Sequence, residues 1–150
     1  KRQDLMNEIY TLNPEWGDGL EWDYLKEVVK LIKDRSKTIT EITSMSEIFF
    51  KDKLEYDIDL LNKTFNDKSI AIIKDFQSAL SSIEDWSRVE IEKIFEDIME
   101  QHEVAIGQVM KPVRVAISGI PFGPGIFDLI LLLGKEICQI RLRHALSVIQ

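Results

Sequence analysis

The sequence predicts an all-α fold of two packed helical subdomains, a bundle or cage of short helices. Three observations carry that expectation. Apolar residues recur at three- and four-residue spacing along most of the 150 residues, no segment sustains the two-residue alternation of a strand, and capping residues stand just ahead of the apolar stripes. With 45% hydrophobic residues the chain has enough apolar material for a real core.

In chain order, Leu5, Met6, Ile9, Tyr10 and Leu12 fit a short first helix that Pro14 ends, and Trp16–Gly19 reads as a turn. From Trp22 to Lys33, Leu25, Val28, Val29, Leu31 and Ile32 form one stripe, with Lys26, Glu27, Lys30 and Lys33 outside it. Thr38 and Glu41 make a capping box for a helix that buries Ile42, Met45 and Phe49. Residues 50–56 are mixed and charged and carry no clear signal. Leu60 and Leu61 mark a short helix within 57–65. Asn66 and Asp67 open the next helix, with Ile72, Ile73, Phe76, Leu80 and Ile83 as its stripe. Ser87 with Glu90 forms a second capping box, Trp86 is placed to pack on Ile91, and Ile91, Ile94, Phe95, Ile98 and Met99 are the buried positions.

The stretch from Gly107 to Leu146 holds five of the seven glycines and three of the four prolines. It reads as a helix bent at Pro112, a turn from Gly119 to Gly125, an apolar helix from Ile126 to Leu133 that Gly134 ends, and a last basic helix. Pro124 and Asp128 suit the first turn of the apolar helix, where a missing N–H costs nothing and negative charge is favoured. In the last helix Ile140, Leu142, Ala145, Leu146 and Ile149 are expected in the core, and Lys135, Arg141, Arg143 and His144 on its charged side.

Charge limits what the chain can bind. Residues 1–109 carry 14 Lys and Arg against 24 Asp and Glu, while residues 110–150 carry 5 against 2, so the net −7 hides a basic C-terminal third. An acidic protein is a poor non-specific nucleic-acid binder, because that affinity comes from neutralised phosphates; DNA is not an expected partner. The single Cys138 excludes an internal disulfide and suits the cytoplasm. The longest apolar run, Leu129–Leu133, is far short of the roughly 20 residues of a membrane helix, so no membrane is expected. His102 and His144 stand apart, and no phosphate-binding glycine loop or metal-ligand spacing occurs. The chain begins Lys1-Arg2 without methionine, as a piece of something longer would.

Several phrases resemble one family. Gly107-Gln108-Val109, then Pro112-x-Arg114-x-Ala116, Ser118-Gly119, Gly123-Pro124-Gly125-Ile126-Phe127 and Leu132-Leu133-Gly134-Lys135-Glu136 are similar to the C-terminal end of bacterial glutamyl-tRNA synthetase. Lys33-Asp34-Arg35-Ser36-Lys37-Thr38 followed by Ile48-Phe49-Phe50 resembles the first helical anticodon-binding subdomain of that family, and Asp85-Trp86-Ser87 onward the second. The resemblance implies subdomains at 1–60 and 61–150, with the boundary within 57–66, and a monomer that works with the catalytic domain of the same parent chain. It implies that Arg35 helps read the third anticodon base, and that Arg114, Gly123, Pro124, Gly125 and Ile126 meet the anticodon. Gly123 replaces a polar family residue and Ile126 a leucine, so a hydroxyl contact at 123 is lost. Lys135, Arg141 and Arg143 are candidate phosphate contacts.

The implied partner is glutamate tRNA, and the implied parent joins glutamate to it with ATP and Mg²⁺. This chain is expected to be non-catalytic and to need no cofactor, since His-x-Gly-His and Lys-Met-Ser-Lys-Ser are both missing. Phe122 fits either base stacking or packing beside the turn. The rival reading is an acidic helical module that binds a protein through an apolar groove. Arginines 35, 114, 141 and 143 gathered on one side favour RNA; scattered arginines favour the rival.

Overall fold

The computed structural model describes residues 22–33, 39–50 and 54–149. The predicted first helix and turn, Arg35 and the Thr38 cap lie outside them. Every regular element among the described residues is α-helical, in keeping with an all-α class. The chain divides into two compact units, residues 1–52 and 53–150.

In the first unit, α1 (Trp22–Ile32) packs on α2 (Ile39–Phe50). Val28, Val29 and Ile32 are buried and Lys26, Glu27, Lys30 and Lys33 exposed, as a single apolar stripe requires. Met45, Ile48 and Phe49 fill the facing side of α2. The Tyr24 hydroxyl donates to the Phe49 carbonyl oxygen at 3.0 Å, and its ring meets Phe50 edge-on at 5.8 Å.

The second unit holds α3 (Ile58–Thr64), α4 (Asp67–Ser82), α5 (Arg88–His102), α6 (Ile106–Ser118), α7 (Ile126–Leu133) and α8 (Lys135–Ile149). Its starts follow local chemistry. Asp57 accepts from the Asp59 N–H at 2.9 Å, Asn66 from Ser69 at 2.9 Å and Ser87 from Glu90 at 3.3 Å, each replacing a bond that the first turn lacks. Ala105 has no side-chain acceptor, so only the Gln108 half of a capping box forms there, reaching back to the Ala105 N–H at 3.1 Å. Helix α5 stops at Glu103, a non-glycine residue in the left-handed region at φ 54°.

Helix α6 is the axis of this unit. It packs on α3, α4, α5 and α8, and Val109, Val113, Val115, Ala116 and Ile117 lose all contact with solvent. Burying a valine or isoleucine completely is worth about 1.5–3 kcal/mol, so these positions make α6 a large contributor to the unit's stability. Pro112 lies inside it, leaving the Gln108 carbonyl without its usual donor. A chain of rings, Phe76 to Phe95 at 5.3 Å and Phe95 to Phe127 at 5.0 Å, ties α4, α5 and α7 together. Trp86 donates its indole N–H to the Leu131 carbonyl of α7 at 3.3 Å.

Two positions of α8 correct the sequence reading. Ile140, expected in the core, is 41% exposed, while Arg141, expected on the charged side, is 2% exposed. The buried stripe is Cys138, Arg141, Leu142, Ala145 and Leu146, a three-four spacing that Ile140 does not share. His102 does not stand apart either: its Nε2 lies 2.6 Å from an Asp75 carboxylate oxygen, which also accepts from Gln101 at 3.2 Å. Ile149 is half-buried.

Candidate nucleic-acid interface

The turn from Gly119 to Gly125 leaves the end of α6 and enters α7, and bonds to the last turn of α6 fix where it begins. A helix leaves its last four carbonyls without internal partners. Here Val115 receives the Gly119 N–H at 2.8 Å, Ala116 receives the Tyr56 hydroxyl, and Ile117 receives Nη1 of Arg141 at 2.9 Å. Gly119 takes φ 77°, the left-handed value that ends helices and suits glycine. Arg141 thus brings a positive charge to the negative end of the α6 dipole, which offsets part of the cost of burying it. Burial pushes the Tyr56 phenol up, against the pull of the Arg141 charge, so it stays a donor. The same burial pushes the Cys138 thiol up to about 12, leaving it unreactive.

The turn itself is closed by side chains. The buried Ser118 hydroxyl donates to the Arg114 carbonyl at 2.6 Å and accepts from the Ile120 N–H at 3.3 Å. Nη1 of Arg114 donates to the Pro124 carbonyl at 2.7 Å, across the mouth of the turn. Gly123 takes φ 137°, and a Cβ there would stand 3.6 Å from that guanidinium. Gly125 has an ordinary φ of −52° and caps α7 by backbone alone. A Cβ on Gly125 would meet Asp128 at 3.3 Å, and Asp128 in turn pairs with Arg88 at 3.3 Å. The exposed members of the turn are Pro121 and Phe122.

Of the residues singled out in the sequence, the structure brings Arg114, Gly123, Pro124, Gly125 and Ile126 together. Pro124 is buried and Ile126 is 3% exposed, so the Ile126 side chain belongs to the core. The three cations of α8 part company. Arg141 is an internal cap, a correction to its place among phosphate-facing residues. Lys135 is spent similarly, donating to the Ile83 carbonyl at 3.0 Å and the Ser81 carbonyl at 3.5 Å at the end of α4. Arg143 is exposed. With Arg141 in the core, the four arginines cannot all share one surface, so the expected gathering fails at that member.

Tyr56 and Ser118 are the contributors to this site that the sequence reading missed. Ser118 stood just before a helix-ending glycine, the one available signal. Tyr56 sits in a segment without periodicity and offered none. Among the described residues no group of three or more His, Cys, Asp or Glu could hold a metal ion, and no helix is long and apolar enough to cross a membrane.

The sequence matches a family model described as an anticodon binding domain over residues 4–146. The chain belongs to the anticodon-binding domain family. Relatives in which this domain recurs include glutamate–tRNA ligase 2 of Thermoanaerobacter pseudethanolicus, 31% identical over 89% of this chain and 28% of the relative. The glutamate–tRNA ligase of Flavobacterium johnsoniae is 30% identical over 97% of this chain and 29% of its own length. The anticodon-binding fold is also that of a glutamate tRNA ligase from Elizabethkingia meningosepticum, crystallised with its amino acid. It superposes with a TM-score of 0.82 at 21% identity, over 99% of this chain and 30% of that one. The chain therefore spans less than a third of these relatives.

Proposed function

We propose that the chain is the anticodon-reading region of a glutamate–tRNA ligase, selecting the tRNA that the rest of the enzyme charges. What carries the reading is the family match over residues 4–146 in a chain whose α6–α7 turn is closed by side-chain hydrogen bonds, exposed at its tip and supplied with a guanidinium. Sequence in single-stranded RNA loops is taken from splayed bases read on their edges and faces, which needs such a preformed platform. The parent would use ATP and Mg²⁺, held outside this region, and would work in the cytoplasm as a monomer. Arg35, Arg114 and the Gly123–Ile126 turn would each meet the anticodon. Arg143 is the α8 cation left for phosphates.

Arg35 would discriminate at the third anticodon position. Guanidinium is donor-only, so it matches the acceptor edge of cytosine and meets donors on guanine, a mismatch worth about tenfold in affinity or more. The test is titration of the chain with glutamate tRNA and with variants changed only in the anticodon, at several salt concentrations. Weaker binding to each variant at every salt is the expected result. Equal binding to all of them would sink the reading.

A further inference from the structure

Among the described aromatic side chains, Phe122 alone is exposed, at 54%. The others are buried or half-buried. Phe76, Phe95 and Phe127 meet edge to face, Tyr24 meets Phe50, Tyr56 lies 5.2 Å from the His144 ring, and Trp86 bonds Leu131. No ring partner is found for Phe122 among the described residues. Its backbone is nevertheless fixed on both sides: Ser118 holds the Ile120 N–H before it, and the Arg114 bond to Pro124 closes the turn after it. Core packing, the ordinary fate of an aromatic beside a turn, is thus not what occupies this ring.

We propose that Phe122 is a stacking platform for one unstacked nucleobase of the tRNA anticodon loop. The inference deepens the anticodon-reading function proposed above and rests on it. A nucleobase suits the position better than an aliphatic partner does. Its flat face matches an exposed ring, and the Arg114 guanidinium that closes the same turn on the Pro124 carbonyl places positive charge in the turn, which a nucleotide's phosphate favours. A turn already closed by these bonds spares part of the ordering cost that an open loop would incur on binding. Glycine at 123 also supplies the φ of 137° that this part of the turn needs, a conformation other residues rarely adopt. Stacking reads no hydrogen-bond pattern, so Phe122 contributes affinity and Arg114 the choice of base.

The experiment uses the chain with a synthetic anticodon stem-loop of glutamate tRNA carrying a fluorescent base analogue at each anticodon position in turn. Phe122→Ala should melt like the unaltered protein, because the ring is exposed, yet bind about tenfold more weakly, and the emission change at one position should vanish. Phe122→Tyr and Phe122→Trp should stay within about threefold of the unaltered protein, since both keep a π-face, while Phe122→Leu should be as weak as alanine. The loss should be equal for stem-loops that differ in the base at that position. Unchanged affinity in Phe122→Ala, or full affinity in Phe122→Leu, overturns the stacking role and leaves the anticodon reading intact. If the unaltered chain binds a stem-loop with a scrambled loop equally well, the anticodon reading itself falls, and the stacking role with it.

Discussion

The turn after α6 and the basic face of α8 use the same residue types to opposite ends. At the turn, Arg114 stays half-buried beside the surface and bridges to Pro124. On α8, Arg141 enters the core to cap α6, and Lys135 caps α4. The difference lies in what each cation can reach. Helix C-termini present carbonyls that must be paired, and a long cationic side chain nearby is a suitable donor. Where such carbonyls are in reach the cation becomes structural; Arg143, exposed on α8, remains available to a ligand.

Breaking the structural side of that contrast should have the largest effect. Arg141→Ala removes the partner of Ile117 and opens a cavity beside Tyr56, so we expect a loss of about 2–4 kcal/mol in denaturant unfolding. Arg141→Gln, which keeps donors, should lose less; equal stability of the alanine variant and the unaltered protein would return Arg141 to the surface. Next comes Gly119→Val, which forces a β-branched residue to φ 77° at a cost of about 1–3 kcal/mol. Gly125→Val, at a φ any residue accepts, should cost less than Gly119→Val and act mainly by crowding Asp128. Equal melting of the two valine variants would show that the left-handed turn is not what fixes the site.

Tyr56→Phe should cost about 1 kcal/mol, because Ala116 loses its donor. The phenol is pushed up in the folded state, so its contribution is complete below the unfolded value near 10 and fades as pH rises past it. The unaltered protein should therefore lose stability above about pH 10 more steeply than the phenylalanine variant, read from urea midpoints across that range. The smallest effect on stability, close to none, is expected for Arg143→Gln. That variant should instead weaken binding to all tRNAs alike and reduce the salt slope by about one. A loss confined to one tRNA would show that Arg143 reads bases, and the contrast with Arg141 would sharpen.

The helix starts were legible because capping is local. Asn66 and Ser87 accept from residues three positions on, and a reader of the sequence sees both partners at once. The stripes of α4 and α5 were legible for the same reason. The rotation of α8 was not: Ile140 and Arg141 are neighbours, and only the position of the α6 carbonyls shows which turns inward. His102 and Asp75 lie on different helices, so their pairing had no local sign. For the candidate site, the motif from Arg114 to Ile126 located the turn, but the Arg114–Pro124 bond depends on how the turn folds back on α6, and the burial of Ile126 on how α7 packs against α5 and α8.

The bond between Arg114 and Pro124 spans ten positions and works as a ruler. Pro121 and Phe122 are exposed and hold up nothing in the core, so the fold itself does not depend on their side chains. The number of residues between the two ends is fixed. An inserted residue anywhere from Gly119 to Gly123 would have to bulge outward or break the bond, so the bond sets the length of this loop whatever side chains stand at its tip.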